Sequence, residues 1–344
     1  MSLRSRKIEF GFALPIFGGA EDSHPRTPLL RKVDDALLRN VISSSEKLGF
    51  NSIWVADHMM LGLNKSILEC WTTLSAAASM SSKLRLGTIH LYNLFRSPSL
   101  VAKMASTLDN ISGGRLEFFV DPGHRGIEEE CSSYGFQRPD AEDRMIQRFD
   151  EALQIMKLMW TKDNVSFDGQ FYTLKDVTCN PKPVQKPWPP VWIGTMGGEG
   201  WTDNSSSDKA LRLVAKHADV WNNTPASVEF CASKLKGLKD ECLSQGRDYE
   251  QIIKSLETQI IIAKSQAGLS SLLKRIRARN PKGTLYGDKA RLKEIYLYGT
   301  PEECVERINE YVDLGITRFI LWFVDVPSSV GMKLFADKVL PSFA

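Results

Sequence analysis

Asn51-Ser-Ile-Trp-Val-Ala-Asp-His58 is the stretch that decides the fold of this chain. The apolar run at its centre predicts a short strand buried on both faces, as in parallel sheets. Leu48-Gly49-Phe50 before it is typical of a helix end followed by a turn. Asp57 and His58 fall where the strand ends, and barrel enzymes place their reactive groups at the carboxyl ends of parallel strands. The alternative is that Asp57 caps the next helix and that His58 is a structural histidine.

The same alternation of strand and helix recurs along the chain. Further buried strands are predicted at residues 8–14, 84–91, 116–120, 191–194, 218–221, 255–263 and 315–323. Eight strands alternating with helices predict one α/β domain over residues 1–344, a single (β/α)8 TIM barrel. A doubly wound sheet is the rival, but no GxGxxG motif follows the first strand. Residues 264–298 are basic and polar, and we interpret them as an insertion before the last helix and strand.

Composition excludes several classes of protein. The 344 residues are 42% hydrophobic and 25% charged, which is ordinary for a globular protein. The net charge of +3 is too small to favour nucleic acid or an anionic membrane as a partner. No apolar run approaches the roughly 20 residues that cross a bilayer. The six cysteines have no CxxC spacing, so we expect free thiols in the cytoplasm.

Three of the five histidines follow predicted strands. His58, His90 and His124 fall at or just past the ends of the second, third and fourth strands, beside Asp57 and Asp121. Imidazole transfers protons near neutral pH, and a neighbouring carboxylate can fix its tautomer or hold its charge. Three histidines with carboxylates could instead bind a catalytic metal. No HxH or HExxH spacing supports that alternative, but spacing alone does not separate the two.

Two further features bear on the site. The loop Thr195-Met196-Gly197-Gly198 follows the fifth strand, where glycines let backbone N–H groups approach a phosphate. A flexible turn is the alternative reading of so short a loop. Arg85 stands between two leucines of the third strand, and we expect it on the outer wall of the barrel, paired with a helix.

Taken together, segments along nearly the whole chain resemble the bacterial luciferase-like superfamily of flavin- or deazaflavin-dependent oxidoreductases. The segments that carry the resemblance are Gly49-Phe-Asn-Ser-Ile-Trp-Val-Ala-Asp-His58, Leu86-Gly-Thr88 with Pro98, Ala105-Ser-Thr-Leu-Asp-Asn-Ile-Ser-Gly-Gly-Arg115, Arg144 with Glu151 and Trp160, Phe167-Asp-Gly-Gln-Phe-Tyr172, Pro181-Lys-Pro183, Pro189-Pro-Val-Trp-Ile-Gly194, Ala218-Asp-Val-Trp221, and Gly299-Thr-Pro-Glu302 with Gly315.

The resemblance implies a reduced flavin-type ring on the barrel rim, with its phosphate near the glycine loop after the fifth strand. In the most similar group, the aspartate–histidine pair after strand two serves reactions of coenzyme F420, a deazaflavin that carries hydride. His58 matches the residue to which those enzymes assign proton transfer. Ile89-His90 matches a bulge, often with a non-prolyl cis peptide, that backs the ring. His124 matches a position that is glutamate in the sugar-phosphate-oxidising branch.

This chain departs from the family at the end of strand four. The family often has a run of small residues there, whereas this segment is Phe118-Phe-Val-Asp-Pro-Gly-His124, with only Gly123 retained. The bulk of Phe119 and the charge of Asp121 are expected to alter the placement of the ring or the shape of the substrate.

We therefore predict an oxidoreductase that transfers hydride between coenzyme F420 and a small organic substrate, with a homodimer implied by the resemblance. His58 is predicted to exchange a proton and Asp57 to orient it, with His124 as the second candidate acid or base. The residues predicted to contact the cofactor are Ile89, His90, Asp121, Gly123, Thr195, Met196, Gly197 and Gly198.

Three alternatives stay open at this point. An FMN-dependent monooxygenase would use reduced flavin and oxygen on the same barrel. A metal-dependent hydrolase would use the three histidines as ligands. A non-catalytic barrel would bind the cofactor without changing its redox state.

Overall fold

A closed ring of parallel strands forms the centre of the molecule. The computed structural model describes residues 7–19, 26–123, 125–139, 141–194, 204–281 and 288–344. The strands are β1 (Glu9–Ala13), β2 (Ser52–Ala56), β3 (Arg85–Ile89), β4 (Leu91–Tyr92), β5 (Leu116–Asp121), β6 (Val165–Asp168), β7 (Thr173–Val177), β8 (Val191–Gly194), β9 (Val220–Asn223), β10 (Ile253–Ile262), β11 (Leu297–Gly299) and β12 (Ile316–Phe323).

The ring closes in the order expected of a TIM barrel. Parallel pairing runs through β1, β2, β3, β5, β8, β9, β10 and β12, and β12 pairs with β1. The predicted fold is therefore confirmed, and each of the eight predicted strands corresponds to one strand of this ring. Outside it, β6 and β7 form an antiparallel hairpin and β4 adds a short pairing to β5.

Helices cover the outside of the ring. They are α1 (Asp35–Lys47), α2 (Cys70–Met80), α3 (Pro98–Ser112), α4 (Glu128–Tyr134), α5 (Glu142–Thr161), α6 (Asn204–His217), α7 (Val228–Ser244), α8 (Gln266–Arg279), α9 (Lys289–Ile295), α10 (Pro301–Asp313) and α11 (Val330–Lys338). Helix α10 begins with a capping box, in which the Thr300 side chain and the Glu303 carboxylate satisfy each other's backbone N–H groups. Among the described residues, no helix is both long and apolar enough to cross a membrane.

The segment predicted as an insertion, residues 264–298, is regular in structure. It contains α8 and α9, and β11 follows at its end and pairs in parallel with β10. Apolar side chains of α8 and α9, such as Leu273 and Leu292, are buried in a cluster of their own. The basic residues that obscured this pattern in the sequence lie on the exposed face of α8. That the segment is an insertion stays a prediction.

A layer of charged side chains closes the amino-terminal mouth of the barrel. Glu117 on β5 accepts hydrogen bonds from Arg85, from Arg318 (3.3 Å) and from the indole N–H of Trp192 (2.6 Å). Arg318 also pairs with Glu9 at 2.8 Å. Our expectation for Arg85 is wrong, because strand alternation turns this residue towards Glu117 on the neighbouring strand rather than towards a helix.

The middle of the barrel is filled by aromatic rings. Trp54 packs against Trp192 with ring centroids 4.6 Å apart. A Cβ atom at Gly87 would lie 2.0 Å from Cε3 of Trp54, so the indole occupies the volume that any side chain there would need. Because these rings fill the middle of the barrel, the candidate reactive side chains lie in the next layer, at the carboxyl ends of the strands.

Replacing Glu117 by alanine is expected to lower the free energy of unfolding by about 3 kcal/mol, because the buried indole of Trp192 would lose its acceptor, while Arg85 and Arg318 would keep only Gln185 and Glu9. Urea unfolding monitored by tryptophan fluorescence measures the change. Asp35→Ala, which removes an exposed partner of Arg39 in α1, is the control and should leave the unfolding midpoint almost unchanged. Equal effects of the two substitutions would contradict the role assigned to Glu117.

Candidate active site

A recess opens at the carboxyl ends of β2, β3, β10 and β12. Its lining residues are Phe17, Arg26, Ala56, His58, Leu61, Ile89, His90, Tyr92, Glu257 and Trp322. The structure thus brings together three of the predicted site residues, His58, Ile89 and His90. The predicted residues His124, Thr195, Met196, Gly197 and Gly198 lie outside the described residues.

Asp57 is buried beside the recess and is held by an arginine. Its two oxygens each accept a hydrogen bond of 2.9 Å from the guanidinium of Arg96, and one also accepts from the backbone N–H of Tyr92 at 3.0 Å. Arg96 in turn bonds Glu69. Burial raises the pKa of Asp57 and Arg96 opposes that rise. The prediction that Asp57 orients His58 is wrong, because this carboxylate is committed to Arg96 and to the N–H of Tyr92, and so joins the end of β2 to β4 and the loop after it.

His58 is oriented by a different carboxylate, Glu130 on α4. Its Nδ1 lies 2.7 Å from Oε1 of Glu130, and its Nε2 lies 3.4 Å from the hydroxyl of Tyr92. The other oxygen of Glu130 accepts from the backbone N–H groups of Met59 and Met60. Burial alone would raise the pKa of Glu130, but the contacts with His58 and these N–H groups outweigh it and lower the pKa.

Glu130 and Tyr92 are site residues that the sequence analysis missed. Glu130 is the last of three consecutive glutamates in the connection after β5. That run gave no specific signal, since acidic residues in the first turn of a helix are ordinarily explained by the helix dipole. Tyr92 also gave no signal, because an aromatic residue just past a strand usually belongs to the core.

His90 lies between two carboxylates. Its Nδ1 is 3.1 Å from Asp121 and its Nε2 is 2.9 Å from Glu257. A neutral imidazole carries only one N–H, so carboxylates at both ring nitrogens favour the imidazolium. Burial alone would lower the pKa of His90, but Asp121 and Glu257 outweigh it and raise the pKa. The peptide bond between Ile89 and His90 is cis, as the resemblance implied.

Glu257 stays ionised despite complete burial. Burial alone would raise its pKa, yet His90, Arg26 and the indole N–H of Trp322, which donates at 2.7 Å, lower the pKa to about 2. The ring of His90 also packs on Phe119, with centroids 4.4 Å apart. Phe119, the bulky departure from the family pattern, therefore packs against His90 with the two rings tilted by 48°.

Asp121 and Gly123 contact neighbouring residues at the carboxyl end of β5. Asp121 accepts from the backbone N–H of Gly194 at 3.0 Å, and burial raises its pKa. Gly123 has φ of 103°, and a Cβ atom there would lie 2.8 Å from Cδ1 of Leu94. The structure therefore accounts for both residues as supports of His90 and of the loop wall. Their predicted contact with a cofactor stays a prediction.

Two side-chain amide atoms on neighbouring strands of the barrel are buried and lack a hydrogen-bond partner among the residues the structure describes. They are Oε1 of Gln259 on β10 and Nδ2 of Asn222 on β9. The strand register pairs Gln259 with Trp322, a residue of the recess. A flat heterocycle with N–H donors and carbonyl acceptors at its edge would satisfy such atoms, so the residues present fit a flavin or deazaflavin ring.

No group of three or more histidine, cysteine, aspartate or glutamate side chains within the described ranges has the arrangement to hold a metal ion. The carboxylates around the two histidines form two separate groups. Glu130 contacts His58, and Asp121 and Glu257 contact the two ring nitrogens of His90.

Comparison with known proteins places this geometry in a family. The sequence profile of the luciferase-like monooxygenases matches residues 8–318. The FMNH(2)-dependent dimethylsulfone monooxygenase of Pseudomonas putida is 27% identical over 271 residues, covering 71% of this chain and 70% of its own. The F420-dependent glucose-6-phosphate dehydrogenase of Amycolatopsis mediterranei (strain U-32) is 24% identical over 316 residues, covering 86% and 91%.

Solved structures share the whole fold. An F420-dependent secondary alcohol dehydrogenase in complex with an F420–acetone adduct superposes with a TM-score of 0.76 at 19% identity, covering 98% of this chain and 100% of that one. The long-chain alkane monooxygenase LadA superposes with a TM-score of 0.79 at 15% identity, covering 98% and 91%. The barrel, its rim histidines and the match along residues 8–318 lead to one conclusion: this chain belongs to the luciferase-like monooxygenase family.

Proposed function

We propose that this chain is an oxidoreductase that binds coenzyme F420 or FMN on the barrel rim and, with F420, transfers hydride to or from a small organic substrate. The observation that carries the proposal is the placement of His58. One of its ring nitrogens is anchored by Glu130 at 2.7 Å, while the ring itself lines the recess. An imidazole held in this way can accept or return a proton at a fixed point.

His58 suits proton transfer better than His90 does. Both ring nitrogens of His90 are occupied by Asp121 and Glu257, so it has no free lone pair to offer a substrate. We assign His90 a different role, which is to place a positive charge next to the ring of the bound cofactor. Asp57 belongs to the support of the rim through Arg96.

The ring, when bound, supplies the hydride chemistry. The chain would hold it with the cis bulge at Ile89-His90 on one face and with the unpaired amide atoms, Oε1 of Gln259 and Nδ2 of Asn222, at an edge. The phosphate is assigned to the loop Thr195–Gly198, which lies outside the described residues. Asp121 and Gly123 would act indirectly, by fixing His90 and the adjacent loop.

Between the two cofactors, coverage favours F420. The F420-dependent relative aligns with 86% of this chain and 91% of its own length, whereas the FMN-dependent relative aligns with 71% and 70%. The FMN-dependent monooxygenase remains the second candidate, since that relative has the higher identity over its shorter match. Titration of the purified protein with F420 and with FMN, followed by ring absorbance and an oxygen electrode, separates the candidates. Tight FMN binding with oxygen consumption would replace the F420 proposal.

His58→Ala is expected to leave the Kd for the cofactor largely unchanged and to lower turnover by about 10²-fold or more, the usual effect of losing a general acid or base. Cofactor binding by fluorescence and turnover by ring absorbance give the two quantities. Turnover equal to that of the wild type would remove His58 from the mechanism. A weaker Kd with unchanged turnover would make it a binding residue instead.

The stability of the protein is expected to depend on pH because Asp121 and Glu257 both contact His90. A raised folded-state pKa contributes stability that is complete below the unfolded value of about 6.5 and is lost as pH rises through the folded value. The charged groups facing the ring are Asp121, Glu257 and, through Glu257, Arg26. The advantage of the wild type over His90→Gln in urea unfolding should therefore shrink from pH 6 to pH 9. A constant difference would contradict a charged His90.

We also propose a homodimer, located in a cytoplasm where the six cysteines, all buried free thiols, stay reduced. Helices α2 and α3 pack side by side. The outward residues of α2 are small, including Ser75 and Ala76, whereas α3 exposes Leu100 and Ile111. Ile111 is 72% exposed, and apolar residues beside a flat small-residue helix suit contact with a second copy.

Ile111→Glu is expected to shift the protein from dimer to monomer in light scattering coupled to gel filtration, because a charge would be buried at the contact. Leu243→Glu on α7, where the residue is 81% exposed on another face, is the matched control and should leave the mass unchanged. A dimer that survives Ile111→Glu would locate the interface elsewhere.

A further inference from the structure

We propose that Glu130 is a positioning residue that fixes the proton of neutral His58 on Nδ1, so that Nε2 faces the recess as the proton acceptor. The inference rests on the proposed function in one respect, that His58 exchanges a proton. It goes further by naming which nitrogen does so and which residue decides it.

The first support is that every contact of Glu130 is with a donor. Oε2 accepts from the backbone N–H of Met59 at 2.5 Å and from that of Met60 at 3.1 Å. Backbone N–H groups cannot reverse their role, so this oxygen is an acceptor. Oε1 lies 2.7 Å from Nδ1 of His58. The lowered pKa of Glu130 keeps it ionised at neutral pH, and an ionised carboxylate can only accept, so Nδ1 carries the proton.

The second support is the partner on the other side of the ring. The hydroxyl of Tyr92 lies 3.4 Å from Nε2 of His58. Burial raises the pKa of Tyr92 well above its ordinary value, so its hydroxyl keeps its proton. With Nδ1 protonated, Nε2 has a lone pair that this hydroxyl can donate to. A phenol hydroxyl can donate or accept, so this contact is compatible with the tautomer that Glu130 fixes, but the contact with Glu130 is the one that excludes the other tautomer.

The third support is the difference between Glu130 and its neighbours. Glu128 and Glu129 are exposed at the surface, where they pair with Arg138 and Lys65. Glu130 alone of the three is buried, with 5% of its surface exposed. Burying a carboxylate is unfavourable unless it is fully hydrogen-bonded, and the donors that satisfy it here are the histidine and the two residues after it. Glu130 thus holds the whole turn that carries His58.

Glu130→Gln makes a sharp test because the amide has one acceptor and one donor end. Met59 and Met60 both donate to the same position, so the carbonyl oxygen of the glutamine should take it. The amide NH2 would then face Nδ1 and donate to it, which moves the ring proton to Nε2. The variant is nearly the same size, and the turn keeps its hydrogen bonds, so the fold should be retained.

The readout is the 15N spectrum of histidine-labelled protein, with the His58 signals assigned by their loss in His58→Ala. At a pH where the ring is neutral, the wild type should show Nδ1 protonated and Nε2 unprotonated. Glu130→Gln should show the reverse. Glu129→Gln, which changes the neighbouring exposed glutamate, should match the wild type. Turnover of Glu130→Gln should fall by about 10²-fold or more, as expected when a catalytic base is in the wrong tautomer.

Two results would overturn the inference. One is a wild type with the proton on Nε2, which needs no variant to fold. The other is a Glu130→Gln spectrum identical to that of the wild type. A reversed tautomer with undiminished turnover has a separate meaning: Glu130 would still fix the proton, and the proton-transfer role of His58 in the proposed function would be the part that fails.

Discussion

The carboxylate of Glu257 lies inside the barrel with no contact with bulk water, and three donors converge on it from His90, Trp322 and Arg26. An ionised group so placed is stable only when its lost hydration is replaced in this way. The same requirement governs Glu117 at the opposite mouth. Each buried carboxylate therefore dictates which arginine, indole or imidazole must turn inward, and the packing of the barrel follows from that choice.

At the rim of the barrel, the same requirement gives two residues that are adjacent in the sequence different partners and different roles. Asp57 and His58 are neighbours in the chain, yet each has its own partner. Arg96 pairs with Asp57 and thereby joins the end of β2 to the loop after β4, whereas Glu130, in the connection after β5, pairs with His58. Because Asp57 and Arg96 pair with each other and not with His58, this support does not depend on the charge of the imidazole.

The fold was predictable from the sequence because apolar runs bounded by turns report strands directly, and eight of them in one chain leave few arrangements. The rim positions of His58 and His90 followed from strand ends alone. The partners did not follow, since Glu130 lies 72 residues from His58 and Glu257 lies 167 from His90. Arg85 was misjudged for the same reason, because the acceptor that draws it inward is on another strand. In the segment before β11, surface lysines and arginines masked the apolar face of α8.

The unpaired amide atoms, Oε1 of Gln259 and Nδ2 of Asn222, have a consequence for how this protein can evolve. A polar atom buried without a partner destabilises the ligand-free chain by about 1–3 kcal/mol. Apolar replacements there would remove this cost from the ligand-free barrel, offset at Asn222 by the lost hydrogen bond from Ser255, and would also remove the groups that recognise a heterocycle. Selection for heat tolerance and selection for ligand recognition therefore act in opposite directions on these two positions, and an organism living at high temperature would have to recover the stability elsewhere in the molecule.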